Sequence, residues 1–166
     1  MSDQDKKFIR QDISAEFPRI LKGKVVIVGV GNILRGDDAF GPALIERVKG
    51  NINAVCIDAG STPENYVGKI AKEKPDTVII ADAAHLDQPA GVCEILKKEE
   101  IVKSGFTTHD LSPVMFIEYL EQETKADIYM LAVQPENTGF GEDMSDRVKK
   151  AIEEIVEELT GGTGNQ

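Results

Sequence analysis

The chain has 166 residues, enough for one domain with a continuous core, and 41% of them are hydrophobic, which argues against a disordered polymer. Its 29 acidic and 19 basic residues give a formal net charge of −10, so nucleic acid and anionic membrane would both be repelled at long range. No apolar stretch approaches the roughly 18 residues of a spanning helix, and the start, MSDQDKKFIRQD, lacks the apolar heart of a signal peptide; a cytoplasmic protein is expected.

Residues 1–22 read as a polar, helical leader. Its apolar positions Phe8, Ile9, Ile13, Phe17, Ile20 and Leu21 recur at helical spacing, and Pro18 interrupts it, so one or two short helices packed on the surface of the body are expected. From Lys24 the chain alternates between two patterns. KVVIVGV is a short, β-branched run suited to a strand buried on both faces. A helix over residues 41–49 follows, with Pro42 in its first turn and Phe40, Leu44 and Val48 on one stripe. NAVCID is a second strand. STPENYVGKIAKEK reads as a helix capped by Ser61 or Thr62, and TVIIADA is a third buried strand. GVCEIL, preceded by the turn-forming DQPAG, suits a sheet edge. Ser112 and Pro113 open a helix to about residue 123, ADIYMLAV makes the last strand, and a helix over residues 143–159 closes at Gly161. Strands separated by helices imply an α/β fold: a three-layer α/β/α sandwich on a mostly parallel five-stranded sheet, with one edge strand possibly antiparallel. Residues 23–160 form the single domain, and residues 161–166 a tail that frays.

GNILRGDDAFG, residues 31–41, stands between the first strand and its helix, where nucleotide-binding proteins carry a phosphate loop. The third glycine of a dinucleotide fingerprint is missing, no GK[ST] follows, and Asp37 and Asp38 would repel a phosphate. Asp58, at the end of the second strand, mimics a ribose-binding acid only by position. No nucleotide cofactor is expected. Cys56 and Cys93 lie in apolar strands, where a thiolate is disfavoured, and read as small buried side chains.

Acid at this turn suits a cation. In open α/β sheets, ligands collect at the carboxyl ends of strands where the winding reverses. If the central order is 2-1-3, Asp38 and Asp82 flank that point, and GFTTHDLSP can bring His109 to the same rim. Two carboxylates and an imidazole suit a divalent first-row metal and leave positions open for substrate. Duller readings stand beside this one: either Asp37 or Asp38 could merely cap the next helix, and His109 alone is an ordinary loop histidine. His85 is a rival ligand on a polar excursion.

GVGNILRGDDAFG, IDAG, IIADA, TTHDLSP and QPENTGF, in this order over residues 24–159, resemble the nickel-iron hydrogenase maturation endopeptidases. The TTH and late QP…GF segments resemble the type serving hydrogenase 3 and related membrane-bound hydrogenases. The resemblance implies an endopeptidase that removes the C-terminal extension of the hydrogenase large-subunit precursor once nickel is inserted. It implies Asp38, Asp82 and His109 as the catalytic and metal-recognising residues, with Asp37 in support and nickel arriving inside the substrate. A non-enzymatic nickel chaperone with the same ligands is the alternative. Gln134 and Pro135, after the last strand, are expected to shape the far wall of the crevice. The oligomeric state is not legible in the sequence.

Overall fold

β-branched runs make the centre of the sheet. Strands β1 (Val25–Val30) and β3 (Thr77–Ala83) are buried along their whole length, as strands covered on both faces must be. The computed structural model describes residues 11–104 and 112–161. It pairs β1 and β3 in parallel, from Val25 beside Thr77 to Gly29 beside Ala81. β2 (Val55–Gly60) lies parallel on the outside of β1, and β5 (Asp127–Val133) parallel on the outside of β3. The short β4 (Cys93–Leu96) closes the β5 edge antiparallel, giving the order β2-β1-β3-β5-β4. The mostly parallel five-stranded sheet is the one expected; the 2-1-3 centre meets the condition set for a crevice, and the edge strand left open to antiparallel pairing is antiparallel.

Alternation along the strands sorts the core into two layers. Ile27, Ile79, Ala81 and Leu131 face α1 (Gln11–Ile20), α2 (Phe40–Val48) and α6 (Asp146–Leu159). Val28, Val78, Ile80 and Met130 face α3 (Val67–Lys72), α4 (Lys98–Ser104) and α5 (Pro113–Glu123). Each fully buried Leu, Ile or Phe in these layers, such as Leu44, Ile70 or Phe116, stabilises the fold by roughly 1.5–3 kcal/mol.

Four local features depart from the sequence reading. From residue 11 the leader packs on the body as a single helix that Pro18 does not interrupt. α1 runs through Pro18 and buries Ile13, Phe17 and Ile20 in the same core as α2 and α6. Pro18 forfeits one intrahelical bond only two residues before the helix ends, a small loss beside that burial. The segment after β2 is a 3-10 turn (Pro63–Tyr66) leading into the short α3; Thr62 holds the cap position without a side-chain hydrogen bond. α4 was not anticipated, because it buries little besides Ile101 and gives a weak period. Its signal was local: Glu100 Oε1 accepts the Lys97 N–H at 2.9 Å, half of a capping box. The last helix starts later than expected, at Asp146, where Ser145 Oγ accepts the Val148 N–H at 3.4 Å.

One glycine brings α2 down onto the sheet. A Cβ on Gly41 would stand 2.4 Å from the Val30 N and O atoms and from the Ala81 carbonyl oxygen, so the helix start touches the ends of both central strands. Gly41→Ala must therefore lift the helix off the sheet. The expected cost is about 1–3 kcal/mol of overpacking, read as a lowered melting temperature. An unchanged melting curve would show that the helix start can move freely.

Candidate active site

Connections from β1 and β3 leave in opposite directions along the sheet, so a crevice opens between their carboxyl ends. Residues 31–39 cross this point. Gly31 starts the crossing with φ +146°, and a Cβ there would lie 1.8 Å from the Asp38 carbonyl oxygen. Only glycine lets the chain fold back so closely on the 3-10 turn (Gly36–Ala39) that follows. That turn packs against β3.

The two adjacent acids have separate tasks. Asp37 is fully buried, and its carboxylate accepts four hydrogen bonds. The donors are Glu136 N–H (2.8 Å), Asn137 N–H (3.1 Å), Ser145 N–H (2.7 Å) and Ser145 Oγ–H (2.9 Å). It stitches the segment after β5 to the turn. Backbone bonds run alongside it, from Gly36 N–H to the Glu142 carbonyl (3.1 Å) and from Asp37 N–H to the Asn137 carbonyl (2.8 Å). Asp38 is 1% exposed; its Oδ2 accepts the Asn32 N–H at 2.9 Å, and no other described group donates to the carboxylate. Neither acid caps the turn, whose cap position is Arg35 without a side-chain bond. The capping alternative is therefore set aside for both.

Asp82 is 3% exposed, lies beside Ala132 of β5 in the sheet register, and follows directly on the Ala81 carbonyl that α2 touches. Its strand parity aims it towards the α3 and α5 layer, opposite to Ala81 and Ala83. The third expected residue, His109, lies outside the described residues. Among the described residues no three His, Cys, Asp or Glu side chains group as a metal cage. What the described residues show is two buried carboxylates, Asp38 beyond the end of β1 and Asp82 at the end of the neighbouring β3.

The other candidates resolve more simply. His85 is exposed, on the polar excursion. Asp58 is exposed, and its Oδ1 accepts the Gly60 N–H at 3.0 Å, closing a local turn. Cys56 and Cys93 are free thiols, and burial pushes both upward, Cys93 well beyond any physiological thiolate. Gln134 has more structure to it than a wall. Its Oε1 accepts the Leu86 N–H (2.6 Å) and the Gln88 N–H (3.4 Å), and its Nε2–H donates to the Pro135 carbonyl (3.2 Å). It thereby ties the connection after β3 to the end of β5. A groove of about 770 Å³ lies beside the crevice on the outer side of α2 and α6, lined by Ala39, Pro42, Met144 and Ile152 among others; neither Asp38 nor Asp82 lines it.

No helix among the described residues is long and apolar enough to cross a membrane. Comparison with known proteins places the chain. Residues 41–161 match the family model for hydrogenase maturation proteases. The chain is 33% identical over 145 residues to the hydrogenase 3 maturation protease of Escherichia coli K12, covering 84% of this chain and 91% of that protein. It is 32% identical over 152 residues to a putative hydrogenase maturation protease of Methanocaldococcus jannaschii, covering 82% and 90%. The crystal structure of the NiFe hydrogenase maturation protease HycI from Thermococcus kodakarensis KOD1 superposes with a TM-score of 0.81 at 33% identity, over 93% of this chain and all of that one. By this family match, and by identity and superposition over most of each chain, the chain belongs to the hydrogenase maturation proteases and is a peptide-bond-cleaving enzyme.

Proposed function

We propose that this enzyme removes the C-terminal extension of a nickel-iron hydrogenase large-subunit precursor after nickel insertion, and that Asp38, Asp82 and His109 read the nickel carried by the substrate. The observation that carries this reading is Asp38: a buried carboxylate with one oxygen fixed by Asn32 N–H and the other without a donor among the described residues, beyond the end of the strand next to the one that ends in the buried Asp82. A desolvated carboxylate held in one orientation favours a cation over water or an amide. Carboxylate oxygens and an imidazole nitrogen suit a divalent nickel whose remaining ligands come from the precursor. Precursor without nickel forfeits those bonds and is passed over.

Cleavage then needs a water oxygen added to the scissile carbonyl carbon and a proton delivered to the departing amine. One of the two aspartates, at the end of a rigid strand or in the tethered turn, accepts the proton that the attacking water loses. The segment bearing the extension leaves as a peptide.

Incubation with nickel-loaded and nickel-free precursor, read by mass spectrometry, tests the reading. Shortening of the loaded precursor only is the expected result; equal shortening of both forms would remove the metal from recognition. A loaded precursor that binds but stays full-length would assign the site to a nickel chaperone. In the same assay Asp82→Asn and His109→Ala are each expected to lower the rate at least about a hundred-fold, as loss of a group acting only in the reacting complex does. Full activity in either variant would take that residue out of the site.

A further inference from the structure

Arg35 opens the turn that carries Asp38. Its N–H donates to the Asn32 carbonyl at 3.1 Å, and its own carbonyl accepts the Asp38 N–H at 3.0 Å, so the side chain departs from a fixed base. That side chain is half-buried and makes no ion pair or hydrogen bond in the described structure, and its Nε–H is buried without an acceptor. This is unusual in a chain with 29 acidic residues. The neighbouring carboxylates do not serve it: Asp37 is fully engaged by the segment after β5, and Asp38 bonds Asn32. A buried guanidinium N–H without a partner is destabilising, and a ligand that supplies the acceptor recovers the loss.

The surroundings suit a docking partner. Ile33, Leu34 and Phe140 are 70%, 56% and 71% exposed, half of the exposed large hydrophobics among the described residues. They sit on two loops joined by the Gly141 N–H to Leu34 carbonyl bond of 2.7 Å. Exposed apolar side chains around an arginine have the composition of a protein-interface centre. The acceptor that fits Nε–H best is a carboxylate, which takes it side-on together with an Nη–H.

We infer that Arg35 engages a carboxylate of the precursor as the precursor docks on the rim formed by Ile33, Leu34 and Phe140. The inference rests on the proposed processing reaction. The carboxylate is an acidic side chain of the uncut precursor; the C-terminal carboxylate that cleavage creates is the other source the experiment separates.

Steady-state cleavage of nickel-loaded precursor, calorimetric binding of that precursor and inhibition by the shortened product together test the inference. Arg35→Gln is expected to raise KM roughly ten-fold, a larger change than any in kcat, with the Kd for precursor rising in step and Arg35→Lys restoring part of the loss. The KM of the unaltered enzyme should rise with ionic strength, and that of the glutamine variant should not. A raised KM assigns an acidic side chain of the precursor, whereas a raised product-inhibition constant alone assigns the new C-terminus. Unchanged KM, Kd and product inhibition in Arg35→Gln, with turnover intact, would overturn the inference alone. A lowered melting temperature with those constants unchanged would also overturn it, and would assign Arg35 to the turn, where the buried Asn137 Oδ1 lies against Gly36. If the unaltered enzyme does not shorten the precursor, the processing reading fails, and the Kd comparison still decides whether Arg35 docks it.

Discussion

An Asp38→Ala enzyme is expected to leave nickel-bearing precursor essentially full-length, with turnover reduced on the order of 10²- to 10³-fold, the effect of deleting one partner of a desolvated charge contact. The fold should survive. Among the described residues Asp38 accepts a single hydrogen bond, from Asn32 N–H, so its loss costs about 1–3 kcal/mol and a few degrees of melting temperature. Asp38→Asn sharpens the comparison. The amide oxygen can still accept from Asn32 while the charge is gone, so stability should return and activity should not. Activity near that of the unaltered enzyme in the asparagine variant would mean that the negative charge at this position is dispensable, and the metal-reading role would go with it.

The second large effect falls on the neighbouring residue and has the opposite character. Asp37→Ala is expected to lower the melting temperature by about 10 °C or more, because three backbone N–H groups and the Ser145 hydroxyl lose their acceptor in a site closed to solvent. A cost of roughly 3–5 kcal/mol is a large part of the 5–15 kcal/mol that holds a typical domain together. Ser145→Ala should cost only about 1–2 kcal/mol, since it removes one of the four donors and a weak helix cap. Thermal melts of the two variants check this directly. An Asp37→Ala protein that melts within a degree or two of the parent would show that the segment after β5 is held by its backbone bonds alone. Adjacent aspartates thus separate by experiment: one governs turnover, the other the frame.

Much of this arrangement was legible in the chain. β1 and β3 could be read almost to the residue, because a β-branched run buried on both faces leaves no other period. The 2-1-3 centre entered the sequence reading only as a condition; with it present, Asp38 and Asp82 lie buried beyond and at the ends of neighbouring strands. What stayed hidden depended on remote partners. Asp37 looked like a helix cap or an unspecified support, because its true partners lie 99 to 108 residues further on. The apolar spacing of the leader showed a helix; its destination against α6 and β4 did not show, since amphipathicity gives a face without an address. α3 fell short of its expected length because the chain after Pro63 takes a tighter turn before it can settle into a helix. The isolation of Arg35 is likewise a three-dimensional fact, the outcome of carboxylates being taken by other donors.

Beside the Asp37 carboxylate, three main-chain bonds join the loop after β1 to the loop after β5: Gly36 N–H to Glu142, Asp37 N–H to Asn137, Gly141 N–H to Leu34. Peptide groups are common to every amino acid, so this lacing does not depend on what Ile33, Leu34 or Phe140 happen to be. Evolution can therefore retailor the outward-facing side chains for a different client without unpicking the seam beneath them.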